Sequence, residues 1–176
     1  MNQHPPPHAG PLRGAEAPAQ HVTRRVQDGV AVLSMAGPDG NRLGPDLVAA
    51  LDHALAVAWR DEGVRAVVLT GRGADFCAGP WSDLPPPGPE PVEPAPVIAA
   101  LVDLCSALAS APKPVVCALH GRVNAGGLAL ALAAQGCVAD TRATLHFPEP
   151  RLGRLPPGSG AVRLAWRVGA AEALRL

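Results

Sequence analysis

The sequence is short of aromatic residues and has no excess of either charge. Its 176 residues include three Trp, two Phe and no Tyr, so Ala, Val and Leu must fill the core. Lys plus Arg and Asp plus Glu number 15 each, which argues against a general electrostatic attraction to nucleic acid or to an acidic membrane. The length suits one domain with a sizeable core. We therefore expect a single-domain protein with no nucleic-acid or membrane partner.

The sequence also lacks the patterns of metal-binding, secreted and membrane-spanning proteins. Its cysteines stand singly in apolar surroundings, at Cys77, Cys105, Cys117 and Cys137, with no Cys-X-X-Cys pair or Cys/His spacing that would hold a metal. Buried free thiols are expected, which suits a reducing compartment. No apolar run reaches the roughly 18 residues of a membrane helix, and residues 1–21 lack the apolar centre of a signal peptide. We predict a cytoplasmic location.

Two stretches of the chain are rich in proline. Residues 1–21 have few large apolar groups to offset the entropy cost of ordering, so they predict a disordered tail. Residues 85–96 carry seven prolines, which excludes a regular helix or strand there. We interpret this second stretch as a Pro-rich loop inside one domain rather than as a domain boundary. The domain is therefore expected to span residues 22–176.

Between these stretches, strand and helix patterns alternate. Apolar runs with β-branched residues indicate buried strands, and apolar residues at helical spacing indicate amphipathic helices. The predicted strands are a hairpin within 26–35 that turns at Asp28-Gly29, strands at 64–70 and 114–119, and short strands at 136–139 and 143–147. The predicted helices are 46–60, 97–110 and 126–135, with a last helix beginning near 158–160. The alternation predicts an α/β fold in which 64–70 and 114–119 are parallel.

A glycine pair lies between an apolar strand and an apolar helix. A strand, a glycine turn and a helix start leave unpaired backbone N–H groups. Gly126-Gly127 therefore predicts either a binding site for an anion or oxyanion, or a tight turn that permits close packing. Glu149 lies between Pro148 and Pro150, a rigid corner at which a carboxylate is either aimed at a ligand or exposed to solvent. Both pairs of interpretations stay open at this point.

Taken in order, short blocks along the chain resemble the crotonase (enoyl-CoA hydratase/isomerase) superfamily. The blocks are Asn41-Arg42-Leu43, residues 64–71, Phe76-Cys77-Ala78-Gly79, Lys113-Pro114-Val115-Val116, His120-Gly121, Ala125-Gly126-Gly127, Pro148-Glu149, Leu152-Gly153 and Pro157-Gly158-Ser159-Gly160. The resemblance extends from about Val26 to the C-terminus and implies the ββα core of the ClpP/crotonase superfamily. It also implies a chain that is short at its C-terminus and lacks the helical segment that follows in the family.

The resemblance implies a binding site for an acyl-CoA thioester. In this family the thioester carbonyl oxygen lies between two backbone N–H donors, which stabilise an enolate. Gly126 matches one donor, and the second matches the position of Pro80. Because proline has no N–H, either Trp81 donates instead or the oxyanion hole is half-built. Coenzyme A is then part of the substrate, and no separate cofactor or metal is expected. The residues that the resemblance places against the substrate are Ala78, Gly79, Ser82, Asp83 and Gly127.

The resemblance also implies which carboxylates take part. Hydratases of the family use two glutamates, whose positions correspond to Ala129 and Glu149. With Glu149 as a single catalytic base, the implied chemistry is that of the family's isomerases or lyases rather than hydration. Ala125 replaces the first glycine of the triplet, which we treat as a mild change, and His146 stands where the family usually has glycine. We interpret His146 as a packing residue and Cys77 as an inert thiol.

Two functional classes remain open. In the first, the chain is an enzyme of isomerase or lyase type that acts on an acyl-CoA or acyl-carrier-protein thioester. In the second, it is a catalytically degenerate crotonase homologue that binds a thioester or a partner subunit. The short C-terminus predicts an uncovered apolar face. We therefore expect a homo-oligomer, trimer-based as in the family, or an association with a different partner chain.

Overall fold

The computed structural model describes residues 21–79 and 96–175. The strands are β1 (Val22–Gln27), β2 (Val30–Met35), β3 (Ala66–Gly71), β4 (Val115–Leu119), β5 (Arg122–Asn124), β6 (Gly136–Ala139) and β7 (Thr144–His146). The helices are α1 (Pro38–Asn41), α2 (Pro45–Arg60), α3 (Pro96–Ala109), α4 (Gly126–Ala133), α5 (Gly160–Val168) and α6 (Ala170–Ala173), with a 3₁₀ turn at Glu149–Leu152. Within the two described ranges, no helix is both long and apolar enough to cross a lipid bilayer.

The two proline-rich stretches fall almost entirely outside the described residues. Of the predicted tail at 1–21, the structure describes His21, and of the predicted loop at 85–96 it describes Pro96. Pro96 is the first residue of α3, so the helix begins one residue earlier than predicted. Proline suits this position because an N–H at the start of a helix has no intrahelical partner.

The predicted hairpin is confirmed. β1 and β2 pair antiparallel, with Gln27 opposite Val30 across the turn Asp28-Gly29. The φ angles of Asp28 and Gly29 are 52° and 78°, the left-handed pair that a two-residue type I′ turn requires. Asp and Gly adopt this conformation at lower cost than other residues, and their dipeptide therefore predicts the turn.

The main sheet has five strands in the order β1-β2-β3-β4-β6. From β2 to β6 all neighbours are parallel, and Val67 of β3 lies opposite Val115 of β4. The predicted parallel pairing of 64–70 with 114–119, and with it the α/β fold class, is confirmed. Helix crossovers are what join parallel strands of this kind, and α2 and α3 supply them.

Helix α4 is buried along nearly its whole length. It consists of Gly, Ala and Leu, with no polar side chain on any face. A helix that is apolar all round is stable only inside a protein, and α4 accordingly packs between α3 and α5. It ends at Ala133, two residues before the predicted end, because Ala134 is extended (φ −69°, ψ 160°). The position of α4 places its N-terminal glycine pair in the interior of the molecule.

One strand before α4 is absent from the sequence-based prediction. We predicted a single turn between β4 and the helix, whereas the structure has β5 there, paired in parallel with β7 as a separate two-stranded sheet. Val123 lies opposite Leu145 and Asn124 opposite His146. A strand of three residues is too short to show an alternating pattern, so its pairing comes from tertiary contacts.

Candidate active site

Two segments that carry the predicted site residues lie side by side. We call residues 75–79 the first arm and residues 121–127 the second arm. The N–H of Cys77 donates to the carbonyl of Arg122 at 2.9 Å, and the N–H of Asn124 donates to the carbonyl of Cys77 at 2.9 Å. These bonds form a parallel bridge between the arms. The blocks that the sequence separates by about 50 residues are therefore direct neighbours in the fold.

The end of the first arm is fixed from both sides. The Ala78 N–H donates to the carbonyl of Gly40 at 2.7 Å, and the Ala78 carbonyl accepts from Asn124 Nδ2 at 3.1 Å. The Ala78 N–H is therefore already engaged and does not serve as an oxyanion donor. Gly79 follows with a φ of +141°, a backbone conformation that residues other than glycine rarely adopt.

The glycine pair of the second arm, Gly126 and Gly127, permits very close packing. A Cβ on Gly126 would lie 2.7 Å from Leu101 Cδ2 and 2.9 Å from Leu43 Cδ1. A Cβ on Gly127 would overlap Cβ of Cys77 in the first arm. The packing interpretation of the glycine pair is therefore confirmed. It coexists with the oxyanion interpretation, because packing uses the missing side chains and leaves the backbone N–H groups in place.

The N–H groups of Gly126, Gly127 and Leu128 stand at the open end of α4. The first intrahelical bond runs from the N–H of Ala129 to the carbonyl of Ala125 at 3.0 Å. The N–H groups between these two residues therefore precede the helical ladder, where a helix presents partial positive charge. This end of the helix lies in the buried interior, so an anionic oxygen placed against it would be shielded from water.

The Cys77 thiol lies beside the N–H of Gly127, and this contact distinguishes Gly127 from Gly126. Burial raises the pKa of its thiol to about 11, although the backbone N–H groups of Gly79, Gly127 and Leu43 favour the ionised form. The thiol is therefore protonated at neutral pH, as the interpretation of an inert cysteine requires. Because the Gly127 N–H faces the Cys77 sulfur, Gly126 is the donor best placed for a ligand in the second arm.

Ala125 is not the mild replacement that we expected from the sequence. Its φ of 53° and ψ of −123° lie in a region that glycine enters freely and alanine does not. Its side chain is fully buried, and its N–H donates to the carbonyl of His146 at 3.0 Å. Such a conformation costs of order 1–3 kcal/mol and persists only where the surroundings enforce it.

Glu149 is a buried carboxylate with one oxygen that accepts no hydrogen bond from the described residues. It opens the 3₁₀ turn and is 8% exposed, which contradicts the alternative of a solvated loop acid. Its Oε2 atom is buried and accepts no hydrogen bond from the residues that the structure describes. Burial raises the pKa of this carboxyl above its ordinary value. A buried acid with a raised pKa and a free oxygen is the arrangement of a general base.

Glu149 is tied to the second arm through β7. His146 ends this strand opposite Asn124, and its carbonyl accepts the N–H of Ala125. Glu149 follows three residues later, so its Cα is at most about 11 Å from that of His146. Pairing of β5 with β7 therefore ties the segment that carries Glu149 to the strand that directly precedes α4.

The position that the family resemblance predicts for a second glutamate holds a tightly packed alanine, Ala129. Ala129 is fully buried, and a Cβ on Gly158 would lie 3.3 Å from its methyl group and 2.6 Å from Cys105 Sγ. Among the described residues, the buried acids are Glu149 and Asp75. Asp75 is bound to an arginine, so Glu149 is the buried carboxylate that remains available for proton transfer.

Sequence reasoning missed an ion pair that joins the two arms. Asp75 Oδ1 accepts the backbone N–H of Arg122 at 2.8 Å and its Nε at 3.1 Å, and Oδ2 accepts Nη2 at 2.8 Å. The hydrogen bonds from Arg122 lower the pKa of Asp75. The signal was present in the sequence, since each of these opposite charges directly adjoins one of the family blocks.

Asn41 is a second polar residue whose role was missed, although it belongs to a family block. It is 1% exposed, and its Nδ2 donates to the carbonyls of Asp75 at 2.8 Å and Arg72 at 3.1 Å. Its Oδ1 accepts the N–H of Gly37 at 3.0 Å. These bonds attach the turn at α1 to the first arm.

The remaining predicted site residues lie outside the described part of the chain. They are Pro80, Trp81, Ser82 and Asp83. The source of a second oxyanion donor therefore stays a prediction. Within 21–79 and 96–175, no group of three His, Cys, Asp or Glu side chains is placed to hold a metal ion.

Comparison with known proteins gives consistent matches over this part of the chain. The pattern that describes enoyl-CoA hydratase/isomerase proteins matches residues 25–176. A probable enoyl-CoA hydratase of Bacillus subtilis is 34% identical over 160 residues, 88% of this chain and 60% of that protein. The 1,2-epoxyphenylacetyl-CoA isomerase of Escherichia coli is 32% identical over 163 residues, 89% of this chain and 62% of that protein. The chain thus spans about three fifths of the length of these relatives.

Solved structures give the same result for the fold. An enoyl-CoA hydratase from Thermoplasma volcanium superposes with a TM-score of 0.78 at 25% identity, over 89% of this chain and 63% of that one. An enoyl-CoA hydratase from Polaromonas superposes with a TM-score of 0.75 at 29% identity, over 88% of this chain and 62% of that one. With its crotonase fold and matching sequence pattern, the chain belongs to the enoyl-CoA hydratase/isomerase family.

Proposed function

We propose that this protein is an acyl-CoA thioester enzyme that moves a proton at the carbon next to the thioester carbonyl, with Glu149 as its base. The observation that carries the proposal is the buried Glu149 carboxylate. Its Oε2 atom lacks a donor among the described residues, and it follows β7, which pairs with β5, the strand directly before α4. The names of the relatives, a hydratase and an isomerase that act on CoA esters, support the substrate class.

In the proposed reaction, a carboxylate oxygen of Glu149 takes the α-proton of the thioester. The C–H electron pair moves toward the carbonyl, whose oxygen becomes the enolate oxygen and accepts a hydrogen bond from the Gly126 N–H. Glu149 then returns the proton, either to the same carbon or to the far carbon of a conjugated enolate. One base suffices for this sequence, because the proton that is removed is the proton that is returned.

The environment of both groups supports this assignment. A carboxylate in a buried site is a stronger base than one in water, since burial raises its pKa toward the working pH. An N–H donor fixed at a buried helix terminus stabilises negative charge that develops in the transition state, and removal of such donors in comparable sites costs about 3–4 kcal/mol. The packing of Gly126 against Leu43 and Leu101 holds that donor in place.

The absence of a carboxylate at position 129 favours isomerisation or a lyase-type reaction over hydration. Addition of water needs a second group to position and deprotonate the water, and the Ala129 methyl group offers none. Loss of one proton-transfer group typically lowers a rate by about 10²–10⁴, so trace hydration would be consistent with the proposal. A coenzyme A thioester is favoured over a carrier-protein thioester, because the names of both relatives specify a CoA ester as the substrate.

A second candidate function is binding without turnover. Ala129 favours it, as does the proline at position 80, whose missing N–H leaves one oxyanion donor unaccounted for. If this candidate function is correct, the site binds a thioester or a partner chain and Glu149 transfers no proton.

Deuterium exchange separates the two candidates. In D₂O, wild-type protein is expected to exchange the α-protons of butyryl-CoA, measured by mass spectrometry, and Glu149→Gln to slow this exchange by about 10²–10⁴. Glu62→Gln makes the same chemical change at an exposed acid and should leave the rate unchanged. Exchange that persists in Glu149→Gln would exclude Glu149 as the base. Calorimetric binding of butyryl-CoA without exchange in any of the three proteins would establish the non-catalytic candidate.

We also propose that the protein self-associates. Several large apolar side chains are exposed on β6, α5 and the last turn, among them Val138 at 67%, Trp166 at 78% and Leu174 at 90%. Exposed apolar surface of this kind favours association. Sedimentation showing a stable monomer over a hundredfold range of concentration would contradict the proposal.

A further inference from the structure

The ion pair between Asp75 and Arg122 is the strongest polar connection between the two arms. Three hydrogen bonds join the residues, two of them from the guanidinium in the bidentate arrangement. A planar guanidinium on a carboxylate fixes orientation as well as distance, which a single hydrogen bond does not. The two residues are 47 positions apart in sequence, so the pair closes a large loop.

The pair is placed directly behind the candidate site. Asp75 precedes the first arm's Ala78 by three residues, and Arg122 precedes Gly126 by four. Between these positions the arms are joined by the bonds of Cys77, which leave little freedom for one arm to slide along the other. Any displacement of Asp75 relative to Arg122 is therefore transmitted to the chain around Ala78 and to the Gly126 N–H.

A third segment closes over the pair. A Cβ on Gly40 would lie 2.9 Å from Asp75 Oδ2 and 3.4 Å from Arg122 Nη2, so the α1 turn packs directly on the bonded groups. The Gly40 carbonyl accepts the Ala78 N–H, and Asn41 binds the Asp75 carbonyl. Asp75 is thus the point at which three separate stretches of chain meet.

We propose that Asp75 and Arg122 form a positioning pair, which fixes the Gly126 N–H relative to the end of the first arm and so aims this donor at the enolate oxygen. Neither residue is assigned contact with the substrate. The proposal rests on the proposed function, because a positioning role presupposes a bound thioester. The pair would affect enolate stabilisation only by positioning other groups, since it neither donates a hydrogen bond to the enolate nor acts as a base.

The proposal makes a distinction that a purely structural role does not. Donors that act on the enolate stabilise the transition state more than the bound substrate. Misplacement of the arms by a fraction of an ångström to about 1 Å should therefore lower kcat by about tenfold to a hundredfold and change KM little. Arg122→Ala is a suitable variant, because it keeps the backbone N–H that binds Asp75 Oδ1, and because the side chain is 55% exposed, so its removal leaves no sealed cavity.

The test measures two properties in wild type, Arg122→Ala and Arg122→Lys. The first is α-proton exchange of butyryl-CoA, resolved into kcat and KM. The second is the ultraviolet absorbance of bound acetoacetyl-CoA, whose enolate form reports stabilisation of the oxyanion independently of Glu149. We expect Arg122→Ala to lose kcat and enolate absorbance while its affinity for butyryl-CoA stays within about threefold. Arg122→Lys keeps the charge but loses the bidentate fork. Its kcat and enolate absorbance should lie between those of wild type and Arg122→Ala.

Two controls show that the effect belongs to this pair. Arg142→Ala removes another arginine that is paired with an aspartate, Asp140, but at an exposed site, and should match wild type in both measurements. Methylguanidinium at millimolar concentration should restore part of the enolate signal to Arg122→Ala and leave the other proteins unchanged, since it can refill the exposed position of the lost guanidinium.

Each outcome decides between the proposals. If wild type exchanges protons and Arg122→Ala equals it in kcat and enolate absorbance, the positioning role is wrong and the proposed function stands. If wild type binds both thioesters but neither exchanges protons nor stabilises the enolate, both are wrong. If wild type stabilises the enolate without exchanging protons, and Arg122→Ala loses this signal, the positioning role stands and the proposed proton transfer is wrong. If wild type neither exchanges protons nor binds either thioester, both are wrong.

Discussion

Two buried carboxylates of this protein, Asp75 and Glu149, lie in opposite environments. Asp75 is 7% exposed and accepts three hydrogen bonds from Arg122, which lower its pKa. Glu149 is 8% exposed, and its buried oxygen has no donor among the described residues, so burial raises its pKa. The shifts are opposite because hydrogen bonds from Arg122 stabilise the ionised form of Asp75, whereas desolvation disfavours the ionised form of Glu149.

The comparison separates a group that holds the fold from a group that is free to react. A carboxylate whose acceptor sites are filled by an arginine is a poor base, and its removal leaves a charge without a partner. A carboxylate without donors costs stability, and natural proteins retain such groups where chemistry needs them.

Shortening the side chain of Glu149 should abolish most of the proposed activity without removing its charge. Glu149→Asp keeps a carboxylate but moves it by about one bond length away from the substrate, and a misplacement of about 1 Å costs roughly 10²-fold in rate. The measurement is α-proton exchange of butyryl-CoA in D₂O. Exchange at the wild-type rate would mean that the position of this carboxylate does not matter, and the division drawn above would fail.

Removal of the Asp75 carboxylate should instead lower stability. Asp75→Ala loses three charge-assisted hydrogen bonds, but Arg122 is half exposed and regains water, so we expect a loss of about 1–2 kcal/mol in the free energy of unfolding. Urea denaturation followed by circular dichroism measures it. Asp140→Ala removes an aspartate from the exposed pair with Arg142 and should cost much less. Equal costs at the two sites would contradict the structural role of Asp75.

The two carboxylates should also give opposite pH dependence of stability. The pKa of Glu149 is raised above 4.5, so its contribution favours the fold below pH 4.5 and is lost as the pH rises through the raised pKa. As the pH rises from 4.5 through the raised pKa of Glu149, the free energy of unfolding of Glu149→Gln should increasingly exceed that of wild type. The pKa of Asp75 is lowered below 3.8, so its contribution is present above pH 3.8 and is lost as the pH falls through the lowered pKa.

The Asp75→Asn variant should accordingly be less stable than wild type at neutral pH, with a deficit that shrinks below pH 3.8. Urea denaturation of both variants and wild type, repeated from pH 3 to pH 8, measures the two differences. Differences that change with pH in the same direction would show that the two environments are not opposite.

The smallest expected effect concerns the strained backbone of Ala125, which is bonded to β7 through the His146 carbonyl. Ala125→Gly should relieve backbone strain of about 1–3 kcal/mol against an entropy cost of about 0.5–1 kcal/mol for glycine, a net gain of about 1 kcal/mol in stability. Thermal denaturation measures the gain. Ala131→Gly, inside α4 where the backbone is ordinary helix, should lose about 1 kcal/mol instead. A loss in both variants would show that Ala125 carries no strain.

Local patterns in the sequence determined most of the architecture. The alternation of buried strands with amphipathic helices predicted the parallel sheet, and Asp28-Gly29 predicted the hairpin turn, because both features depend on neighbours only a few residues apart. The ordered set of short blocks between Asn41 and Gly160 also indicated the family, and the full pattern over 25–176 confirms it. The candidate helix terminus was thus named from residue types and spacing, and Glu149 as the candidate base from the resemblance to the family.

Only the tertiary structure decided the environments of these residues. The burial of Glu149, the partner of Asp75 and the strained backbone of Ala125 each depend on segments distant in sequence, such as Arg122, which lies 47 residues from Asp75. The three-residue strand β5 likewise exists only through its pairing with β7 and with Cys77. A sequence specifies which side chains are available, but pKa shifts and strain arise from contacts between them, and those contacts are fixed only when the chain packs.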